Sequence, residues 1–354
     1  LKFCSEITAI LAWLPSSDLR GTIVMKGRLV AAGVVLAIGT CSQWIGSYFR
    51  LLFAAFFEFD QRQAVLDILG IIRRESDSPG IQEWGWGSFQ HVASGSTGRE
   101  LRLVAVQAGA IELLGDCIRK HTALPKLQYQ ACGMLAELGM VRKEKKGAAK
   151  DVVQPVLSAM EQHPEDYWVQ MHCGSALAVS ARWGSGIASA IRKARGVEIV
   201  VKMMQDFKKD AQVQHIGCIT FAALASHNVR GISDAVREAG GIELVVHAMT
   251  NHTTDLSVQA EGTIALAALA VDNTNNVVAM RETGAVEAVI YALKSHRLNY
   301  ATRIAACLAI GTMASSGATD GRISKNLEKD LYDELCPEGK PRQEPQDNNL
   351  EAVM

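Results

Sequence analysis

From position 60 onward the chain alternates apolar runs at helical spacing with short polar loops, and the alternation is periodic. Residues 238–271 (EAGGIELVVHAMTNHTTDLSVQAEGTIALAALAV) show one period. A break at Gly240 and Gly241 precedes apolar positions Ile242, Leu244, Val245 and Met249, then a polar loop over 250–255, then a nearly all-apolar segment over about 256–271. The first run predicts a helix with one apolar face, and the second a helix apolar all round. Neither can bury its apolar surface alone, so the unit requires copies on both sides.

Two columns of residues supply the copies. An acidic or amide residue recurs as Asp67, Glu112, Gln154, Glu198, Glu243 and Glu287, at spacings of 45, 42, 44, 45 and 44. A second column reads Gln82, Gln128, Gln170, Gln214, Gln259 and Arg303, at spacings of 46, 42, 44, 45 and 44. Columns in step over six units define a tandem array. Each unit predicts three helices. A short one, such as ISDAVRE (232–238) or VVAMRE (277–282), ends at glycine; a second carries the acidic column; a third opens at the Gln column after a capping residue such as Asp255 or Asn299. No segment shows sustained strand alternation.

Units of about 40–47 residues built from two or three helices point to an armadillo or HEAT solenoid. The third helices make the resemblance specific. QHIGCITFAALA (214–225), QAEGTIALAALA (259–270), QYQACGMLAELG (128–139) and IQEWGWGSFQHVA (81–93) resemble the armadillo pattern Gln-x-x-Gly/Ala-Cys-Trp-Ala-Leu-x-Asn-Leu-Ala. The resemblance covers 60–316 and is clearest over 193–316. It implies an all-α, right-handed solenoid of about six three-helix units (approximately 60–105, 106–147, 148–192, 193–235, 236–279 and 280–316), with third helices lining a concave groove.

The chain departs from the peptide-binding members, whose groove carries a ladder of Trp and Asn. Its Trp positions are Gly87, Gly133, Ser175, Ile219, Ile264 and Leu308, and its Asn positions are His91, Glu137, Val179, Ala223, Ala268 and Thr312. Binding of extended basic peptides by that ladder is therefore not expected. The resemblance places the six Asn-position residues on the concave face as candidate partner contacts. They are polar at both ends and small and apolar in the middle, where Ala178, Ala222 and Ala267 precede them. Exposed to the groove, such residues would admit an apolar or amphipathic helical segment of a protein partner. The alternative is that the alanines pack between neighbouring helices.

Both ends differ from the array. Residues 29–49 form a run of 21 without charge, with Lys26 and Arg28 before it and Arg50 after it, long enough to span a bilayer. Read from Met25, the stretch also resembles a signal peptide or anchor. Thr40, Ser42, Gln43 and Ser47 dilute its apolar character, so 1–59 is equally read as a helical cap on the solenoid. A membrane contact through 25–57 and a buried cap both stay open. Beyond 316 the composition turns polar. Residues 326–335 predict a short amphipathic helix through Leu327, Leu331, Tyr332 and Leu335, and the chain from Pro337 reads as disordered.

Composition narrows the function. Thirty-six Lys and Arg against 37 Asp and Glu leave a net charge of −1, which gives no general grip on nucleic acid. None of the eight cysteines forms a CxxC pair, and Cys132, Cys173, Cys218 and Cys307 fall in third helices, where they read as small core residues in a reducing compartment. There is no phosphate loop and no HExxH motif. The Gly-Ser clusters at 94–98 and 184–186 read as linkers. His247 and His252 lack a third metal ligand, and the remaining histidines look scattered. The basic run 142–146 with Lys150 reads as a solvated helix or a localisation signal. Trp84 and Trp86, two apart, cannot share a helical face, so one is assigned to the core. No catalytic residue, cofactor or metal is expected. The resulting expectation is a cytoplasmic, non-enzymatic scaffold or adaptor, membrane-attached if the N-terminal segment inserts; the alternative is the targeting or regulatory region of a larger enzyme of the ubiquitin ligase or kinase class.

Overall fold

The computed structural model describes residues 60–94, 96–141, 151–227, 229 and 231–315. Among them are sixteen α-helices and no strand. Each unit is counted from its short first helix, so its boundary falls a few residues before the expected one. Unit one holds α1 (Gln61–Arg74) and α2 (Pro79–Val92); unit two holds α3 (Gly98–Gln107), α4 (Ala110–Lys120) and α5 (Pro125–Val141). Unit three holds α6 (Val153–Gln162) and α7 (Tyr167–Ala181); unit four holds α8 (Ser185–Lys193), α9 (Gly196–Asp206) and α10 (Ala211–Ala225). Unit five holds α11 (Ile232–Glu238), α12 (Gly241–Asn251) and α13 (Leu256–Ala270), and unit six holds α14 (Thr274–Thr283), α15 (Ala285–Ser295) and α16 (Tyr300–Ser315). The segment 1–59, the basic run 142–146 and the tail 317–354 lie outside the described residues, so the expectations attached to them do too. Among the described residues no helix is long and apolar enough to cross a membrane.

The sequence columns now have physical causes. Each Gln of the second column is buried, and its amide Nε2 donates to two carbonyls at the end of the preceding helix. Gln170 bonds Met160 O at 2.7 Å and His163 O at 3.0 Å, Gln214 bonds Met204 O and Phe207 O at 2.9 and 3.0 Å, and Gln82, Gln128 and Gln259 do the same. The last carbonyls of a helix have no partner within it, and here the next helix supplies one. Arg303 breaks the column in unit six, its guanidinium lying 5.6 Å from the Tyr300 ring centroid. In the other column Glu112, Glu198, Glu243 and Glu287 sit in the first turn of a helix, where the macrodipole favours a negative charge. Asp166, Asp210 and Asp255 cap the third helices of their units through side-chain bonds to Val169 N, Val213 N and Val258 N at 2.9–3.0 Å.

Four of the histidines that look scattered in sequence form a column of their own, seven residues before the Gln column. His121, His163, His252 and His296 end second helices, and each ring Nε2 meets a carbonyl of the preceding unit: Ser76, Thr122, Lys208 and Thr253, at 2.9, 2.7, 3.1 and 3.1 Å. A carbonyl only accepts, so Nε2 carries the hydrogen. In unit four Phe207 replaces the histidine and packs against Tyr167, ring centroids 6.1 Å apart.

The turn between first and second helices is left-handed in four units, at Gly109, Arg195, Gly240 and Gly284 with φ of 86°, 60°, 81° and 82°. Arg195 alone carries a Cβ there, which costs on the order of 1–2 kcal/mol. Arg195→Gly relieves that strain and gives back part of it as glycine's larger folding entropy. The expected net gain is up to about 1 kcal/mol by chemical denaturation, and a loss of stability would show that the Arg195 side chain contributes more than its strain.

Successive third helices (α2, α5, α7, α10, α13, α16) pack against one another more extensively than successive second helices do. The stack is therefore tighter on the third-helix side, and that side is concave. A core column runs through it: Phe89, Leu135, Leu177, Phe221, Leu266 and Ile310, all fully or almost fully buried. Each inner third helix, α5, α7, α10 and α13, meets third helices on both sides and a second helix behind, which is why it is apolar nearly all round. Trp86 belongs to this core, and Trp84 is half-buried.

Candidate partner-binding face

The six Asn-position residues fall at one register of successive third helices, and their surroundings differ from one unit to the next. His91, Glu137, Val179, Ala268 and Thr312 are half-buried. Ala223 is not exposed to the groove as expected; it is buried, at 5% of its full exposure, and packs within the core. Ala178, Ala222 and Ala267 are buried too, so packing between helices accounts for the small residues before the Asn positions. Glu137 accepts from Gln90 Nε2 at 3.2 Å, tying units one and two together, and pairs with Arg102 of its own unit at 3.5 Å. Val179 and Trp183 both lie where a side chain on Gly139 would project, and Trp183 Nε1 donates to Gly139 O at 3.3 Å. Only glycine admits that approach. Thr312 bonds back to Leu308 O at 2.9 Å.

A second group on the same face has no repeating signature in the sequence. Tyr129 on α5 stacks against His172 on α7 with centroids 5.7 Å apart and planes at 24°. Trp168 stacks against His172 at 6.1 Å and 20°, and its centroid is 6.3 Å from that of Tyr129. Tyr167 meets Trp168 edge-on at 5.2 Å, and its hydroxyl lies 3.3 Å from Gln212 Oε1. Trp168 is 53% exposed, the largest aromatic surface left open among the described residues. The rings come together because α5 and α7 approach closely. Gly133 lies opposite the His172 imidazole, leaving room for it, and nearby the Cα atoms of Cys132 and Cys173 stand 4.8 Å apart. Those two cysteines are joined as a disulfide and Cys307 is disulfide-bonded as well, which corrects the reading of all three as reduced core residues. Cys117 and Cys218 are free and buried, and burial pushes the Cys117 thiol up to about 12.

The ionisable groups of this face are set mainly by burial. Burial holds the His172 imidazole below its usual value, opposed by the nearby Glu137 carboxylate. His215 is likewise held down by burial, with Asp255 opposing and Arg182 reinforcing. Burial pushes the Glu261 carboxyl up, and Arg182 counters it in part. A carboxyl whose value is raised on folding contributes stability below its unfolded pKa and loses that contribution as pH rises through the folded one. Glu261→Gln is therefore expected to raise the thermal midpoint at pH 7 by roughly 1–2 °C. The gain should disappear below the ordinary carboxylate range, where the wild-type group is protonated in both states. Equal midpoints at pH 7 would show that the carboxylate is solvated. Among the described residues no cluster of His, Cys, Asp and Glu could hold a metal ion, and His252 bonds a carbonyl instead of facing His247.

No protein-family model and no curated protein matches the sequence. Solved structures do. An engineered protein, 25% identical, superimposes on 71% of this chain and 97% of its own with a TM-score of 0.60. A designed armadillo repeat protein, 16% identical, covers 70% of this chain and 99% of its own at 0.59. Another designed armadillo repeat protein, in complex with the peptide (KR)4, is 19% identical and covers 72% of this chain and 100% of its own at 0.56. Buried Gln caps, left-handed turns between first and second helices and a tightly stacked third-helix layer thus belong to an all-α solenoid with the armadillo repeat fold.

Proposed function

We propose that the chain is a non-enzymatic interaction scaffold whose concave face takes a segment of a protein partner. The observation that supports this most is Trp168, half open to solvent within a cluster of rings on adjacent third helices. Large, rigid aromatic surfaces of this kind dominate interface energetics. A designed protein of the same fold is found in complex with a peptide. A helical partner segment laid along units three to five would need a continuous small-apolar strip, and Ala223, packed inside, interrupts it between Val179 and Ala268. The contact is therefore centred on the rings of units two and three, with Glu137 on its polar edge.

Selection of displayed peptides against the full chain tests this. Binders are expected to lose about 10-fold in affinity on Trp168→Ala, in line with a central aromatic anchor. Trp168 is too exposed for the change to cost much stability, so the thermal midpoint should stay near the wild-type value. Binders indifferent to Trp168→Ala would place the interaction on another surface.

A further inference from the structure

We propose that residues 326–336 return antiparallel along the outer side of α16 and close that end of the solenoid, fastened there by a disulfide between Cys307 and Cys336. The inference is independent of the partner-binding reading above. Cys307 is disulfide-bonded. Cys132 and Cys173 are bonded to each other, and Cys117 and Cys218 are free. Of the eight cysteines that leaves Cys4, Cys41 and Cys336 to partner Cys307, all outside the described residues.

The repeat register fixes which way Cys307 faces. It stands four residues after Arg303, as Cys132 stands four after Gln128, and Cys132 reaches across to the following unit. Gly174, at the same offset in unit three, lies opposite Ile216 of the following unit. Gly133, one position on from Cys132, lies opposite His172, again of the following unit. The matching position in unit six is Leu308. Among the described residues no unit follows α16. Leu308 is 54% exposed and Ile304 47%, and a Cβ on Gly311 would meet nothing within 4 Å. These positions make one apolar stripe on the side where a further third helix would pack, and the end of a stacked array needs a cover there.

Position and pattern select Cys336. Cys4 and Cys41 precede unit one, whose third helix is five steps, or about 40–50 Å, from α16. Cys336 follows the end of α16 by 21 residues. Before it Leu327, Leu331, Tyr332 and Leu335 recur at one helical face, and Cys336, four after Tyr332, extends that face. The register agrees as well. Cys307 lies eight residues before Ser315, about 12 Å along a helix, and Cys336 lies ten after Asn326, about 15 Å. A turn through 316–325, which contains Gly317 and Gly321, therefore brings the two cysteines level and sets Leu335 beside Leu308. In forming the bond each thiol gives up its proton. The pair gives two electrons to a small-molecule disulfide such as oxidised glutathione, which leaves as two thiols.

The test uses the full chain, oxidised with glutathione disulfide, alkylated without reduction, digested and read by mass spectrometry. A linked pair of peptides joining Cys307 to Cys336 within a monomer is expected. A partner at Cys4 or Cys41, a link between two chains, or an alkylated Cys307 would each overturn the proposal. Hydrogen exchange then separates a packed segment from a bare link. Cys336→Ser should speed amide exchange in α16 at least 10-fold and leave α5 and α7, with their own disulfide intact, unchanged. Leu331→Asp, which keeps Cys336, should speed α16 as well through lost apolar cover alone. Wild-type exchange in α16 of the Leu331→Asp chain would show a tether that does not pack, and the proposed cover would fail.

Discussion

Ala223→Arg is expected to unfold the middle of the solenoid, at a cost of about 3 kcal/mol or more. Ala223 is buried on α10, which is packed between α7 and α13. A long side chain there forces the helices apart and carries a charge into the packed layer between α7 and α13. Ala268→Arg supplies the comparison. Ala268 is half-buried at the equivalent position of the next unit, and an arginine there can lay its stem along the groove and keep its charge in water. It should change stability by less than about 1 kcal/mol. Chemical denaturation of both variants checks the pair, and an Ala223→Arg protein as stable as the wild type would mean that the site opens to the groove.

Leu266→Ala has the other large effect. Leu266 is fully buried in the column shared with Leu177, Phe221 and Ile310. Removing its side chain loses the transfer free energy of its methyl and methylene groups and leaves a cavity between units, together about 2–5 kcal/mol. Because each unit contacts mainly its neighbours, the loss is expected first as uncoupling of units five and six. Hydrogen exchange should quicken in α13 and α16 before α5 or α7. Uniform acceleration along the chain would show a single cooperative unit instead.

The two binding-related groups were unequally legible in sequence. The Asn-position register follows from counting nine residues on from the Gln column, because the repeat keeps that offset fixed. The ring cluster of Trp168, Tyr129 and His172 lies at offsets −2, +1 and +2 from the same column, but its members come from different offsets in units two and three. Met171 and His215 stand at the offset of Tyr129 in the next two units, neither of them a Tyr, Phe or Trp, and a column read down one offset passes over it. The histidine column was within reach, at a constant seven residues before the Gln column, and was obscured because Phe207 interrupts it.

The sequence by itself determined the period, the helical class, the unit count and which helix of each unit is apolar all round. These depend on local spacing and on signals such as Asp255, Gly240 and Gln259, whose partners lie within a few residues or in the adjoining helix. Only the tertiary structure decided which small residues face solvent. An alanine has the same composition whether it lines a groove or fills a helix crossing, and the distance between third helices chooses between the two. That distance buries Ala223, leaves Ala268 half open, brings Cys132 to Cys173 and stacks Tyr129 on His172. It is set by how closely the side chains of two units interlock, a property of pairs of residues about 44 positions apart that no single unit contains.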